Sequence, residues 1–167
     1  ISFSPSGDRI ATIDAIWEVA SGNQICRFPD DNERDGRPIF TLDGQAVIIG
    51  RQYRLTVFDA VSGRQLRDFY QTEIGLGPAL AISRDGTRLA TLGQGYDEVD
   101  DKRKEFGWLC IWDTGFAQSV VRATREPSGV SDVAISHDGR YVVSVGRVSD
   151  AYETEDYAPG DTRVYDA

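Results

Sequence analysis

Short apolar runs alternate with turn signals along the whole chain. Alternation of apolar and polar residues over a few positions is typical of a strand with one buried face, and Asp-Gly is a strong signal for a tight hairpin. Four such turn signals each separate two apolar runs, and they predict antiparallel hairpins with glycines at the turns. The runs are ISFSP and RIATI around Gly7, PIFTL and QAVIIG around Gly44, LAIS and RLATL around Gly86, and VAIS and YVVSV around Gly139.

A third strand is predicted after each hairpin. The runs IWEV, TVFD, CIWD and RVYD place an aromatic residue at one equivalent position, namely Trp17, Phe58, Trp112 and Tyr165. These aromatics follow one another at intervals of 41, 54 and 53 residues, and a fourth alternating run such as QSVVRAT follows in the earlier repeats. Four strands in a repeat of about 40 to 45 residues are typical of β-propeller blades.

The fold predicted from this pattern is all-β, with about four propeller blades, each a four-stranded antiparallel meander. The blades have approximate bounds 1–29, 37–70, 78–124 and 129–167, and the last lacks its outer strand. The longer intervals between aromatics are explained by insertions between the second and third strands of the later blades.

The repeated unit resembles the WD-repeat (tryptophan-aspartate repeat) β-propeller family. The family motif has the form SPDG-x-x-(I/L)-A-(T/S), followed by (I/L)-W-D-x-x-(S/T)-G. This chain has FSPSGDRIAT with IWEVASG, TLDGQAVIIG with VFDAVSG, ISRDGTRLAT with IWDTG, and ISHDGRYVVS with VYDA. The Gly-His pair that the family carries before the first strand is absent from every unit, and His137 stands where the family usually has proline.

The resemblance carries expectations about structure and partners. It implies that the hydroxyl residues of the second strands, Thr12, Thr91 and Ser144, make structural hydrogen bonds. Because the family typically has seven blades, it also implies a fragment of a longer propeller, whose remaining blades would be partners of this segment. A small closed ring of four blades is the alternative. Partner binding and complex assembly are the implied activities.

Charge and composition exclude several classes of function. The chain has 18 basic against 27 acidic residues, a formal net charge of -9, and shows no basic stripe, which argues against nucleic-acid binding. No run approaches the roughly 18 apolar residues of a membrane span. The two cysteines, Cys26 and Cys110, lie in strand-like runs of different repeats and are interpreted as buried hydrophobes, which favours a reducing, cytoplasmic location.

Long segments are predicted at one end of the blades only. In a meander, the connections after the second and fourth strands emerge at the same end, and 30–37, 70–78, 96–107 and 148–160 all fall in this set. The last two carry acidic residues interleaved with aromatics, a combination that suits a protein or peptide partner of basic character. The candidate partner-binding residues are Tyr96, Asp97, Asp101, Phe106, Tyr152, Glu153, Glu155, Asp156 and Tyr157. The alternative is that both are solvated loops, since two doublings of loop length cost only about 1.2 kcal/mol.

An enzyme is the competing class. Some propellers hydrolyse or oxidise substrates with carboxylates around the central channel, and that alternative stays open. The only histidine, His137, adjoins a turn, and no nucleophile elbow or phosphate loop is present. The sequence therefore predicts no catalytic residue, no cofactor and no metal site, because calcium loops and clustered zinc ligands are missing.

Overall fold

The part of the chain that the structure describes contains fifteen strands and no helix. The computed structural model describes residues 1–29, 36–51, 54–70, 75–99, 102–113, 120–126, 130–146 and 162–167. The strands form four antiparallel sheets in which neighbours along the chain are neighbours in space. The prediction of an all-β chain is thereby confirmed.

The first two sheets have four strands each. The first contains β1 (Ser2–Phe3), β2 (Arg9–Ala11), β3 (Ala15–Glu18) and β4 (Gln24–Arg27). The second contains β5 (Arg37–Phe40), β6 (Ala46–Arg51), β7 (Arg54–Asp59) and β8 (Gln65–Tyr70).

The third sheet also has four strands, and the fourth has three within the described residues. The third contains β9 (Gly75–Ile82), β10 (Arg88–Val99), β11 (Lys102–Asp113) and β12 (Val120–Glu126). The fourth contains β13 (Val130–Ile135), β14 (Tyr141–Gly146) and β15 (Thr162–Asp166).

The hairpin between the first two strands has the same closing hydrogen bonds in all four sheets, although its aspartate follows the glycine in the first sheet and precedes it in the other three. A serine or threonine opens it, its N–H donates to the carbonyl five residues on at 2.8–2.9 Å, and its hydroxyl accepts the N–H of that residue at 2.9–3.0 Å. The same hydroxyl donates to the turn aspartate at 2.6–2.8 Å. The opening residues are Ser4, Thr41, Ser83 and Ser136.

These loops have four residues between the closing pair, which differs from the two-residue turn that Asp-Gly predicts. The reason is the hydroxyl, since it accepts a backbone N–H that the wider loop would otherwise leave without a partner. Each loop still needs glycine, because φ lies between 65° and 74° at all four positions, a conformation that side chains disfavour. The glycines are Gly7, Gly44, Gly86 and Gly139. We call this end of the sheets the turn end, and the opposite end the loop end.

The four central aromatics occupy one register position. Trp17 pairs with Ile10, Phe58 with Val47, Trp112 with Leu89, and Tyr165 with Val142. Each therefore stands at the same place on the third strand, one residue before the acidic residue that ends it.

Two of these aromatics donate a hydrogen bond to a threonine of their own sheet, which lies in the second strand for Trp112 and directly after it for Trp17. Trp112 Nε1 donates to Thr91 Oγ1 at 2.9 Å, and both side chains are buried. In the first sheet, Trp17 Nε1 donates to Thr12 Oγ1 at 3.3 Å, and that pair is only part-buried. Each bond ties the second strand to the third across the sheet.

The sheets stack face to face in chain order. Three apolar clusters fill the spaces between the first and second, second and third, and third and fourth sheets. The innermost strands β1, β5, β9 and β13 contact one another in succession. No closed propeller is detected among the residues that the structure describes, so the observed architecture is a row of four stacked sheets.

The turns stack as well as the sheets. Arg9 reaches from the first sheet to the second, where Nη2 donates to the carbonyl of Gly44 at 2.8 Å and Nη1 to that of Ala60 at 3.3 Å. At the other end of the row, Arg84 of the third sheet contacts His137 of the fourth through Nη1 and Nε2. Between the second and third sheets, a Cβ on Gly86 would contact the side chain of Leu42 at 3.8 Å. Neighbouring sheets are therefore in contact at all three junctions of the turn end.

No helix in the described residues is long and apolar enough to cross a lipid bilayer.

Candidate partner-binding site

A two-stranded ribbon leaves the third sheet at the loop end. Strand β10 pairs with β9 only as far as Gln94, and β11 pairs with β12 only from Gly107 onward. Beyond these points, Gly95–Val99 and Lys102–Phe106 pair with each other alone, with Val99 opposite Lys102. The sequence prediction of a long loop over 96–107 is thus wrong, and its described residues continue the central hairpin.

The backbone register of the ribbon places acidic positions opposite basic positions. Asp97 is paired with Lys104, and Glu98 with Arg103. Oppositely charged residues at directly paired positions stabilise an antiparallel ladder by roughly 0.2–1 kcal/mol each, whereas like charges there destabilise it. When the residues of these two pairs are set against each other, the acidic excess of 96–107 comes from Glu105 and from residues 100 and 101, less the charge of Lys102. Residues 100 and 101 lie outside the described part of the chain.

An aromatic residue anchors the base of the ribbon. Phe106 is paired with Gly95, and a Cβ on Gly95 would overlap the Phe106 ring. The ring of Phe106 also meets Trp108 edge-on, with centroids 5.9 Å apart and an interplanar angle of 79°. Trp108 in turn packs against the cluster between the second and third sheets. The ribbon is thus tied to the sheet by a continuous aromatic contact.

Phe106, a predicted partner-binding residue, also has a structural position at the base of the ribbon. It is half-buried over glycine, so its ring supports the ribbon in addition to any partner contact. Neither Gly95 nor Trp108 was singled out from the sequence. The signal was present in FGWLCIW, where aromatics at every second or fourth position mark one face of a strand.

The other predicted site residues divide into two groups. The backbone places Tyr96 and Asp97 on the ribbon, with Tyr96 opposite Glu105. The remaining six predicted positions lie outside the residues that the structure describes. They are Asp101, Tyr152, Glu153, Glu155, Asp156 and Tyr157.

The inner strands converge at the loop end. Arg37 Nη1 of the second sheet lies 3.8 Å from Asp132 Oδ1 of the fourth, although the third sheet stands between them in chain order. Both side chains are largely exposed, so this ion pair contributes little stability. It shows that β5 and β13 approach each other beside β9.

At the turn end, carboxylates serve the turns. A hydrogen bond from a neighbouring hydroxyl is the main cause that lowers the pKa of each turn aspartate, and backbone N–H groups lower the pKa further. A carboxylate that accepts such bonds is stabilised in its charged form. The four turn aspartates, Asp8, Asp43, Asp85 and Asp138, are therefore structural acceptors.

Neither cysteine has the environment of a reactive thiol. Cys26 and Cys110 are free and buried, which confirms their interpretation as small core residues. Burial raises the pKa of Cys26, and it raises the pKa of Cys110 to about 11. Thiolate, the nucleophilic and metal-binding form, is therefore disfavoured at both positions.

No group of three or more histidine, cysteine or carboxylate side chains that could hold a metal ion is found in the described ranges. His137 lies in the turn of the fourth sheet against Arg84.

No protein-family model matches the chain, and no curated protein sequence matches it significantly.

Proposed function

We propose that the four stacked sheets are blades of a WD-repeat-like β-propeller and that the chain is a protein-protein interaction scaffold. The proposed partner is a protein or peptide of basic character, which binds at the loop end. The observation that carries the proposal is the ribbon of β10 and β11, which projects beyond the third sheet at that end.

The repeated construction supports the propeller interpretation. All four sheets share one hairpin design and one register for the central aromatic, and they stack in chain order. The approach of Arg37 to Asp132 supports an arc whose inner strands turn toward a common axis. Radial repetition of four-stranded meanders is the propeller architecture.

The anchoring of the ribbon supports a binding role for the loop end. A ribbon fixed by the edge-on contact of Phe106 with Trp108 loses little conformational freedom when a partner binds to it, and preorganisation of this kind favours affinity. Functional residues on repeat scaffolds lie on segments that project from the rigid framework. Basic character is inferred from the acidic excess in 96–107 and 148–160.

The first test shortens the ribbon. Because Tyr96 pairs with Glu105, replacing 97–104 with Asn-Gly closes the hairpin with a favourable two-residue turn and leaves the sheet below intact. Binding of a fluorescently labelled lysine-rich peptide is then measured by anisotropy in both forms. We expect the shortened form to melt as the parent does and to lose at least about tenfold in affinity. Equal affinity of the two forms would contradict the proposed location.

A second variant tests the basic character of the partner. The triple change Glu153→Gln, Glu155→Gln and Asp156→Asn raises the net charge by three. A matched control, Asn23→Lys, Gln24→Lys and Val61→Lys, makes the same change at exposed positions of the turn end. We expect only the first variant to weaken binding and to flatten its dependence on salt. An equal effect of both variants would indicate attraction by net charge alone.

A further inference from the structure

The interfaces between sheets follow one rule. Each sheet presents a forward row, three directly paired residues on its first three strands, to the sheet that follows it. The following sheet presents a backward row to meet it. Between the second and third sheets, the forward row is Ile39, Ile48 and Val57, and the backward row is Ile82, Leu89 and Trp112.

The same register positions meet at the other two interfaces. The first sheet covers the second with the row of Ser2, Ala11 and Ile16, of which the last two lie in the buried cluster. The second sheet meets this row with Phe40, Val47 and Phe58. The third sheet covers the fourth in the same way, and all six positions in these two rows are buried or pack on the buried cluster. These rows are Ala81, Ala90 and Ile111 against Ile135, Val142 and Tyr165.

Two rows are left without a covering sheet in the described residues. The fourth sheet has a forward row of Ala134, Val143 and Val164, where Ala134 and Val164 are exposed and Val164 is 63% exposed. The first sheet has a backward row of Phe3, Ile10 and Trp17, where Phe3 is 59% exposed. Each row is apolar at all three positions, as are most of the buried rows.

We propose that these two rows bind each other between copies of this chain, with the fourth sheet of one copy on the first sheet of the next. The strand register indicates which surfaces fit together. Ala134, Val143 and Val164 occupy the positions with which each earlier sheet covers the sheet that follows it. Phe3, Ile10 and Trp17 match the row that each preceding sheet covers. A contact that joins two different faces is heterologous, and it produces a closed ring when the rotation between copies closes.

The chemistry of the contact is that of the internal interfaces. Burying the small forward row of the fourth sheet against the larger backward row of the first sheet removes apolar surface of both from water. Removal of apolar surface from water is the main driving force for association. Further bonds from the turns strengthen the internal interfaces, as Arg9 does toward Gly44. The interface is separate from the loop end, so it stands or falls independently of the proposed function.

The test uses two single substitutions in the full chain. Val164→Lys places a charge in the forward row, and Phe3→Lys places one in the backward row. Val61→Lys is the matched control, because Val61 is 64% exposed and lies in a turn outside both rows. Solution mass is measured by sedimentation equilibrium, and folding of each variant is checked by circular dichroism.

We expect the parent chain and the Val61→Lys control to show at least twice the chain mass of 18.4 kDa. Each row variant alone should dissociate at concentrations at least about tenfold higher than the parent, since an unpaired charge would be buried in every contact. An equimolar mixture of the two row variants should regain a one-to-one complex, because one contact then joins two intact rows. A monomeric parent chain, or a mixture that does not recover, would overturn the proposal.

Discussion

The hydrogen bond between Trp112 and Thr91 is the most informative single contact to perturb. Thr91→Val keeps the shape of the side chain and removes the acceptor of a 2.9 Å bond, leaving the buried indole N–H without its partner. An unsatisfied buried donor costs about 1–3 kcal/mol. In a chain of this size, each kcal/mol lowers the melting temperature by roughly 2–4 °C.

Two double-mutant cycles isolate this bond from the change in packing. The first cycle combines Thr91→Val with Trp112→Phe, and the second combines Thr12→Val with Trp17→Phe in the first sheet. Free energies of unfolding are measured by urea titration. We expect a coupling energy of about 1 kcal/mol or more in the third sheet and a smaller one in the first, where the bond is 3.3 Å long and part-buried. Equal coupling in the two sheets, or none in the third, would refute the reasoning.

Three further predictions concern the turns and the core. Gly63→Ala should destabilise the chain by more than Gly7→Ala. The angle φ is near +70° at both glycines, but only at Gly63 would a Cβ overlap a carbonyl oxygen of the preceding sheet. Urea titrations that give equal losses of unfolding free energy for the two variants would count against the stacking. The turn aspartates have pKa values below the unperturbed value of about 3.9, so the stability they contribute is present above that pH and is lost as pH falls through the lowered values. A melting temperature that stays constant between about pH 5 and about pH 2 would contradict this prediction. Cys110, with its pKa raised to about 11, should react with a thiol reagent at pH of about 8 only after unfolding, and rapid labelling of the folded chain would show the burial to be wrong.

The sequence contained most of the strand pattern because apolar alternation and glycine turns are local properties. Gly86 needs a positive φ whatever surrounds it, so the dipeptide alone predicted a turn there. The role of Ser83 was less visible, because a serine before a turn acquires meaning only when its hydroxyl faces both the aspartate and the next strand. Repetition of serine or threonine at that position in all four hairpins was the available signal.

The candidate site was harder to predict. Charged residues such as Asp97 and Glu98 are typical of loops, and a one-dimensional pattern does not reveal the backbone register that places them opposite Lys104 and Arg103.

The beginning of strand β9 was missed for a related reason, because 70–78 was assigned to a long connecting segment. Its glycines and Pro78 indicate a loop, yet the residues 77–79 lie where the register shifts opposite Leu92. Proline is tolerated at such a bulge, since no ladder hydrogen bond is lost there.

Thiol crosslinking tests most directly whether the four sheets stack in chain order. Arg84 and His137 occupy equivalent places in the third and fourth turns and are in contact. Leu42 holds the same place in the second turn. Cysteines are introduced in pairs at these positions and treated with a short bis-maleimide, and crosslinked peptides are identified by mass spectrometry. We predict an intramolecular crosslink for Arg84→Cys with His137→Cys and none for Leu42→Cys with His137→Cys. Equal crosslinking of the two pairs would contradict the stacked order of the sheets.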